Sequence, residues 1–252
     1  VNNTRTSNPS LRSDTFNRYQ YLTGAQDPAN LMTINGTIDK SILLLAILIF
    51  SGIGSAWLTI QSQGQLGYVL MGGGAIVGFV LAMVLNFKQN LAPVLAPAYA
   101  VAEGLAVGAI SLMYQVAFPG IVTNAVILTV AILLVMLVLY RLRILQATPK
   151  FLQMLSFSVL GIMIVYGADI LLGFFGVHVP FLNDGGPIGI CISLFICGIA
   201  SLTLIADFGF IESGAQRAPK FMEWYSGFSL LVSLVWLYLE VLRLLAQTQR
   251  RN

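Results

Sequence analysis

The chain has 252 residues, 57% of them hydrophobic and only 9% charged, with 13 Lys and Arg against 10 Asp and Glu and a formal net charge of +3. So little charge among so many apolar side chains excludes a single soluble core, and nucleic acid is not an expected partner. The expected environment is the lipid bilayer.

The chain opens on a polar arm, residues 1–40, carrying Arg5, Arg12 and Arg18. This is not the layout of a cleaved secretory leader, so none of it is set aside. Seven apolar stretches follow: Ser41–Ile60, Leu66–Phe87, Leu91–Tyr114, Pro119–Tyr140, Phe151–Gly176, Gly186–Phe208 and Met222–Ala246. Each is long enough to cross a hydrocarbon layer of about 30 Å as a helix. The expected fold is an all-α polytopic bundle: an arm at 1–40, a seven-helix transmembrane domain at 41–246 and a tail at 247–252.

Connections are short and turn-like, as in Gln61–Gln65 and Asn183–Pro187, and leave no room for a soluble domain. Arg5, Arg12, Arg18, Lys40, Lys88, Arg141, Arg143, Lys150, Arg217 and Lys220 all fall on the side of the N-terminus, while the opposite loops carry no Lys or Arg. Basic residues are retained on the cytoplasmic side during insertion, so the N-terminus is expected there. An odd span count then puts Arg250 and Arg251 outside, against the same rule.

Within the spans, the pairs Gly74/Gly78 and Gly104/Gly108 have the small-xxx-small spacing that lets helix backbones approach closely. Gly72–Gly74 weaken the second span, and Pro93 with Pro97 bend or delay the third. Cys191 and Cys197 lie too far apart along one helix for an unstrained disulfide and have no His nearby, so both are expected to serve packing.

Carboxylates are the chemical signal. Glu103, Asp169, Asp207 and Glu240 fall inside predicted spans, where a lone charge costs several kcal/mol and faces the bundle interior, a neutralising partner or water. Arg243, one turn beyond Glu240, is a ready partner for it. On the last span Glu223, Ser226, Ser229, Ser233 and Glu240 share one helical face. On the sixth, Ser193, Cys197 and Ser201, and separately Thr203 and Asp207, recur at four. Turned together, two such faces supply oxygen ligands for protons or hard cations such as calcium; the competing reading is that the serines only permit close packing. Asp207, Glu212 and Glu223 crowd one membrane end and are expected to share protons, which makes that end a candidate pH-sensitive gate.

Several motifs together resemble the Bax inhibitor/YccA-like (transmembrane Bax inhibitor motif) family, in particular its bacterial branch, whose chains have about this length. They are Arg5-Thr6-Ser7-Asn8-Pro9, Met32-Thr33-Ile34-Asn35-Gly36-Thr37, Leu91-Ala92-Pro93 with Tyr99 and Glu103-Gly104-Leu105, Asp207-Phe208, Ala218-Pro219-Lys220-Phe221-Met222-Glu223-Trp224-Tyr225, and Trp236-Leu237-Tyr238-Leu239-Glu240. The resemblance implies a bundle whose last helix is surrounded by the other six, in a bacterial inner membrane. For some members it implies a pH-dependent calcium leak gated by two aspartates on the last two helices. Asp207 matches the first aspartate and is the possible calcium ligand. The second position falls on Ser233 by spacing or on Glu240 by the Leu-Tyr-Leu-acid string, and no Arg in the second span matches the latch of some members.

A pH-sensitive cation leak is therefore expected, for calcium or protons, with Asp207, Glu240, Ser233, Glu103, Glu223 and Asp169 along the path and no cofactor. The alternative is a stress-related, non-transporting protein that docks on a membrane complex or modulates a membrane protease. No enzyme is expected, because the lone His178 sits in a loop and no Ser has a base at hand.

Overall fold

The structure, a computed structural model, describes residues 30–173 and 186–251. Its helices are Ile34–Gln61 (α1), Gln65–Phe87 (α2), Ala92–Ala117 (α3), Ile121–Arg141 (α4), Pro149–Gly173 (α5), Pro187–Gly214 (α6) and Met222–Arg251 (α7). All seven are long and apolar enough to cross a membrane, as the apolar runs predict. The chain is a multi-pass membrane protein.

The helix ends differ from the apolar runs in an instructive way. α1 begins about two turns before Ser41, because Thr33 caps it, its Oγ1 accepting from Gly36 N at 2.9 Å. α6 continues past Phe208 to Gly214, and α7 past Ala246 to Arg251. The α7 extension is polar throughout and the α6 extension ends in Glu212-Ser213-Gly214, so hydropathy leaves them out although their backbone remains helical. Asp207 is consequently well inside α6 rather than at its end. Before α3, residues Gln89–Leu91 form a tight turn, and Pro93 occupies the first turn, where its missing amide removes no helical hydrogen bond.

Three helices carry most of the interior. Half of the most apolar window of α3 and of α6 is buried, and 44% of that of α7, against 12% to 22% for the others. α7 packs along α1, α3, α4 and α6. α5 reaches α7 through Tyr166, and α2 reaches it where Tyr225 Oη donates to Asn86 Oδ1 at 3.3 Å. The last helix thus touches all six others, as expected of a central helix.

Glycine sets how closely α3 approaches its neighbours. A Cβ on Gly104 would sit 2.5 Å from Leu48 O, one on Gly108 2.6 Å from Gly52 Cα, and one on Gly74 2.6 Å from Ala102 O. With backbones this close, Ser51 and Ser55 of α1 donate to the carbonyls of Val101 and Leu105 of α3 at 2.7 and 2.6 Å. The two cysteines part company. Cys197 is buried among α4, α6 and α7, whereas Cys191 is exposed, so the packing role expected of both holds for Cys197 alone.

Residues ahead of α1 are tied to the turn ahead of α7. Met32 N donates to Ala218 O at 2.8 Å, Gln216 N to Met32 O at 2.8 Å and Lys220 N to Asn30 O at 2.9 Å, around a bridge between Leu31 and Pro219. This short antiparallel strap joins the entrances of the first and last helices.

Candidate functional site

α6 and α7 are joined by a short turn and run side by side, which brings their predicted polar faces together. Ser229 Oγ donates to Asp207 Oδ1 at 2.7 Å, and Ser233, one turn on, presents its hydroxyl to the same carboxyl without hydrogen-bond geometry to Oδ2. Asp207 is 7% exposed, and its Oδ2 has no hydrogen-bond partner among the described residues. A buried oxygen in that state calls for water, a proton or a cation.

The space beside it can hold one of these. A cavity of about 480 Å³ lies between α5, α6 and α7, and its wall includes Asp207, Thr203, Ser229, Ser233 and Ser156. Apart from Tyr225 the rest of the wall is largely apolar, with Leu155, Val159 and Trp236 prominent, and no Lys or Arg lines it. Asp207 therefore lines a space walled by hydroxyls and hydrocarbon, with no fixed positive charge. Among the described residues no three His, Cys, Asp or Glu side chains converge.

Glu240 belongs to a different centre. Its Oε1 accepts from Tyr166 Oη of α5 at 2.6 Å and from Trp236 Nε1 at 3.2 Å. Arg243 Nη1 donates to the same tyrosine oxygen at 2.6 Å, while its closest approach to Glu240 Oε2 is 4.0 Å. The pairing that the sequence suggests is thus mediated by a hydroxyl from another helix, and the guanidinium also lies 5.2 Å from the Tyr166 ring centroid. Glu240 Oε2 is buried without a hydrogen bond among the described residues. Of the two residues that could accompany Asp207, the structure sets Ser233 against it and Glu240 apart.

The remaining carboxylates are dispersed. Glu223 Oε1 accepts from both the backbone N and Oγ1 of Thr33, each at 3.0 Å, and lies where a Cβ on Gly36 would intrude. A carboxyl accepting at Thr33 completes the cap of α1 and tightens the strap. Glu212 accepts from Tyr140 Oη and pairs with Arg143 at 2.7 Å, on an exposed surface. The crowding of Asp207, Glu212 and Glu223 expected from sequence is therefore not formed: each has its own partners. Glu103 bonds Tyr99 of its own helix and fills the space opposite Gly78, where a Cβ would be 2.7 Å from its Oε2. Tyr99 carries that link to α7 through an edge-on ring contact with Phe228, centroids 4.8 Å apart. Asp169 is half-buried near the end of α5, in the opposite half of the bundle from Glu212. His178 and the arm with Arg5, Arg12 and Arg18 lie outside the described residues.

Tyr166 is a site residue that the sequence reading does not single out, and Trp236 enters that reading only as part of the Trp236–Glu240 motif. The available signal is their type: a Tyr or Trp in an apolar span has a polar atom that seeks a partner when buried.

A model of the family described as Bax inhibitor 1 like matches residues 8–250. No curated protein and no solved structure matches the chain. The family match covers nearly the whole chain and reaches all seven described helices: the chain belongs to the Bax inhibitor 1 like family.

Proposed function

We propose that the protein is a pH-sensitive cation leak in which Asp207 is the ion-binding and proton-binding group, for calcium or protons. The observation that carries this reading is the buried Oδ2 of Asp207, unbonded among the described residues, on a residue that lines a cavity with hydroxyls but no Lys or Arg in its wall. Protonated, the carboxyl is neutral and tolerates an apolar wall. Ionised, it can only accept, and it draws water or a cation into the cavity to offset the cost of burying a charge. Ser229 and Ser233 supply oxygens that can turn toward a cation in place of the lost hydration shell. Calcium flux should then rise with pH, because only the ionised form binds a metal cation.

The proposed setting is a bacterial inner membrane with the N-terminus cytoplasmic. That orientation follows from Lys40, Lys88, Arg141, Arg143, Lys150, Arg217 and Lys220 all falling on the N-terminal side. The test is ion flux into dye-loaded liposomes carrying purified protein. Asp207→Asn should remove the pH dependence, and Ser233→Ala should lower flux while keeping it. An Asp207→Asn protein that is folded and leaks with an unchanged pH profile defeats the proposal.

A further inference from the structure

A second cavity, of about 960 Å³, lies away from Asp207, between α1 and α4, which do not pack along one another. Its floor is α7, at Gly227, Leu230, Leu231 and Leu234. One wall is Ile38, Ile42 and Leu45 of α1, and the other is Leu133, Leu134 and Leu137 of α4. Ile38, Ile42, Leu134 and Leu137 are exposed, so the cleft opens sideways to the bilayer. Its volume is near the upper end of pockets that enclose a drug-sized molecule.

One end of this apolar cleft is polar. Arg141, Arg143, Tyr140 and Glu212 line its mouth at the C-terminal ends of α4 and α6, with Asn35 across from them. Arg143 has φ 58°, in the left-handed region, and that turn of the chain accompanies the return of its guanidinium to Glu212 at 2.7 Å. Arg141 is exposed and has no carboxylate partner among the described residues. The mouth therefore carries two guanidiniums against one carboxylate, a net positive charge at the end of a greasy slot. An anion with hydrocarbon tails fits both halves; a tail-less anion fits only the mouth, and a tailed zwitterion brings no net charge to match it.

We infer that the cleft between α1 and α4 binds an anionic phospholipid, its acyl chain along α7 and its phosphate at Arg141 and Arg143. This site is independent of the ion-path reading. A guanidinium matches a phosphate diester through paired N–H donors, and basic pockets between helices at the end of a span recognise such headgroups. Glu212 opposes the bound phosphate, which gives the test a sign that a purely structural ion pair would not.

The experiment is native mass spectrometry of the full-length protein with chain-matched phosphatidylglycerol and phosphatidylcholine in competition, folding being checked by thermal unfolding. Wild type should prefer phosphatidylglycerol, and Arg141→Gln should cut the preference by about fivefold, the effect of one basic residue near a charged headgroup. Glu212→Gln should raise it, and glycerophosphoglycerol, which has the headgroup without tails, should not compete. Equal binding of the two lipids by wild type overturns the proposal, as does a preference that Arg141→Gln leaves intact or Glu212→Gln lowers. Competition by the tail-less headgroup would reduce the site to a surface anion contact and also overturn it.

Discussion

Replacing Tyr166 by Phe removes one oxygen that holds α5 to α7 and keeps Glu240 and Arg243 in register. In the native bundle that hydroxyl donates to Glu240 Oε1 and accepts from Arg243 Nη1, both at 2.6 Å. Glu240 is 4% exposed, and without the tyrosine its described partners reduce to Trp236 Nε1 at 3.2 Å and the distant guanidinium at 4.0 Å. Hydrogen bonds to charged groups contribute about 1.5–3 kcal/mol each in soluble proteins, whereas interhelical bonds in membrane bundles average about 0.6 with an upper value of about 1.7. Arg243 can recover part of its loss by extending toward the interface. Tyr166→Phe should therefore cost about 2 kcal/mol, with a fall in Tm of about 4 °C or more for a chain of this size. The assay is thermal unfolding in detergent, in wild-type and Glu240→Gln backgrounds. In the second background the same change should cost at least about 1 kcal/mol less, because the two side chains are coupled. A loss below about 0.5 kcal/mol, or an equal loss in both backgrounds, refutes the reasoning.

Other expectations follow from the same contacts. Gly108→Ala drives a methyl into the backbone of Gly52 and should cost about 1–3 kcal/mol, whereas Gly72→Ala, with nothing within 4 Å of its Cβ, should leave Tm unchanged or raised. Thr33→Ala removes the α1 cap and a bond to Glu223, and should cost about 1–2 kcal/mol, with faster hydrogen exchange at residues 34–37. Glu223→Gln keeps an accepting oxygen for Thr33 and should cost less than Glu223→Ala, as measured by unfolding. Cys191 should react with a lipid-soluble maleimide in the folded protein, and Cys197 only after unfolding.

How much of this was legible in the sequence depends on whether a feature belongs to one helix or to the rotation of two. The seven spans were readable because apolar length is a property of each segment alone. The close contacts of α3 were readable because Gly74, Gly104 and Gly108 permit an approach that larger residues forbid. The faces holding Asp207 and Ser233 were visible as spacings, and the structure turns them together. The role of Glu223 was not visible, since it depends on Thr33, 190 residues earlier in the chain, arriving at the entrance of α7. Nor was the tyrosine between Glu240 and Arg243, since an i, i+3 pair looks complete by itself and nothing local to α5 marks Tyr166 as its third member. The expected cluster of Asp207, Glu212 and Glu223 failed for a related reason. Nearness to one membrane end fixes depth but not azimuth, and Arg143 and Thr33 draw two of the three carboxylates elsewhere.

The most direct test of the ion-path account is calcium flux into dye-loaded liposomes containing the wild-type protein, measured at pH 6 and pH 8 beside Asp207→Asn and empty liposomes. The account predicts flux above empty liposomes that is greater at pH 8, and an Asp207→Asn protein whose flux no longer changes between the two. Folded protein that passes no more calcium than empty liposomes at either pH would contradict it and favour a protein that acts by docking on a membrane partner.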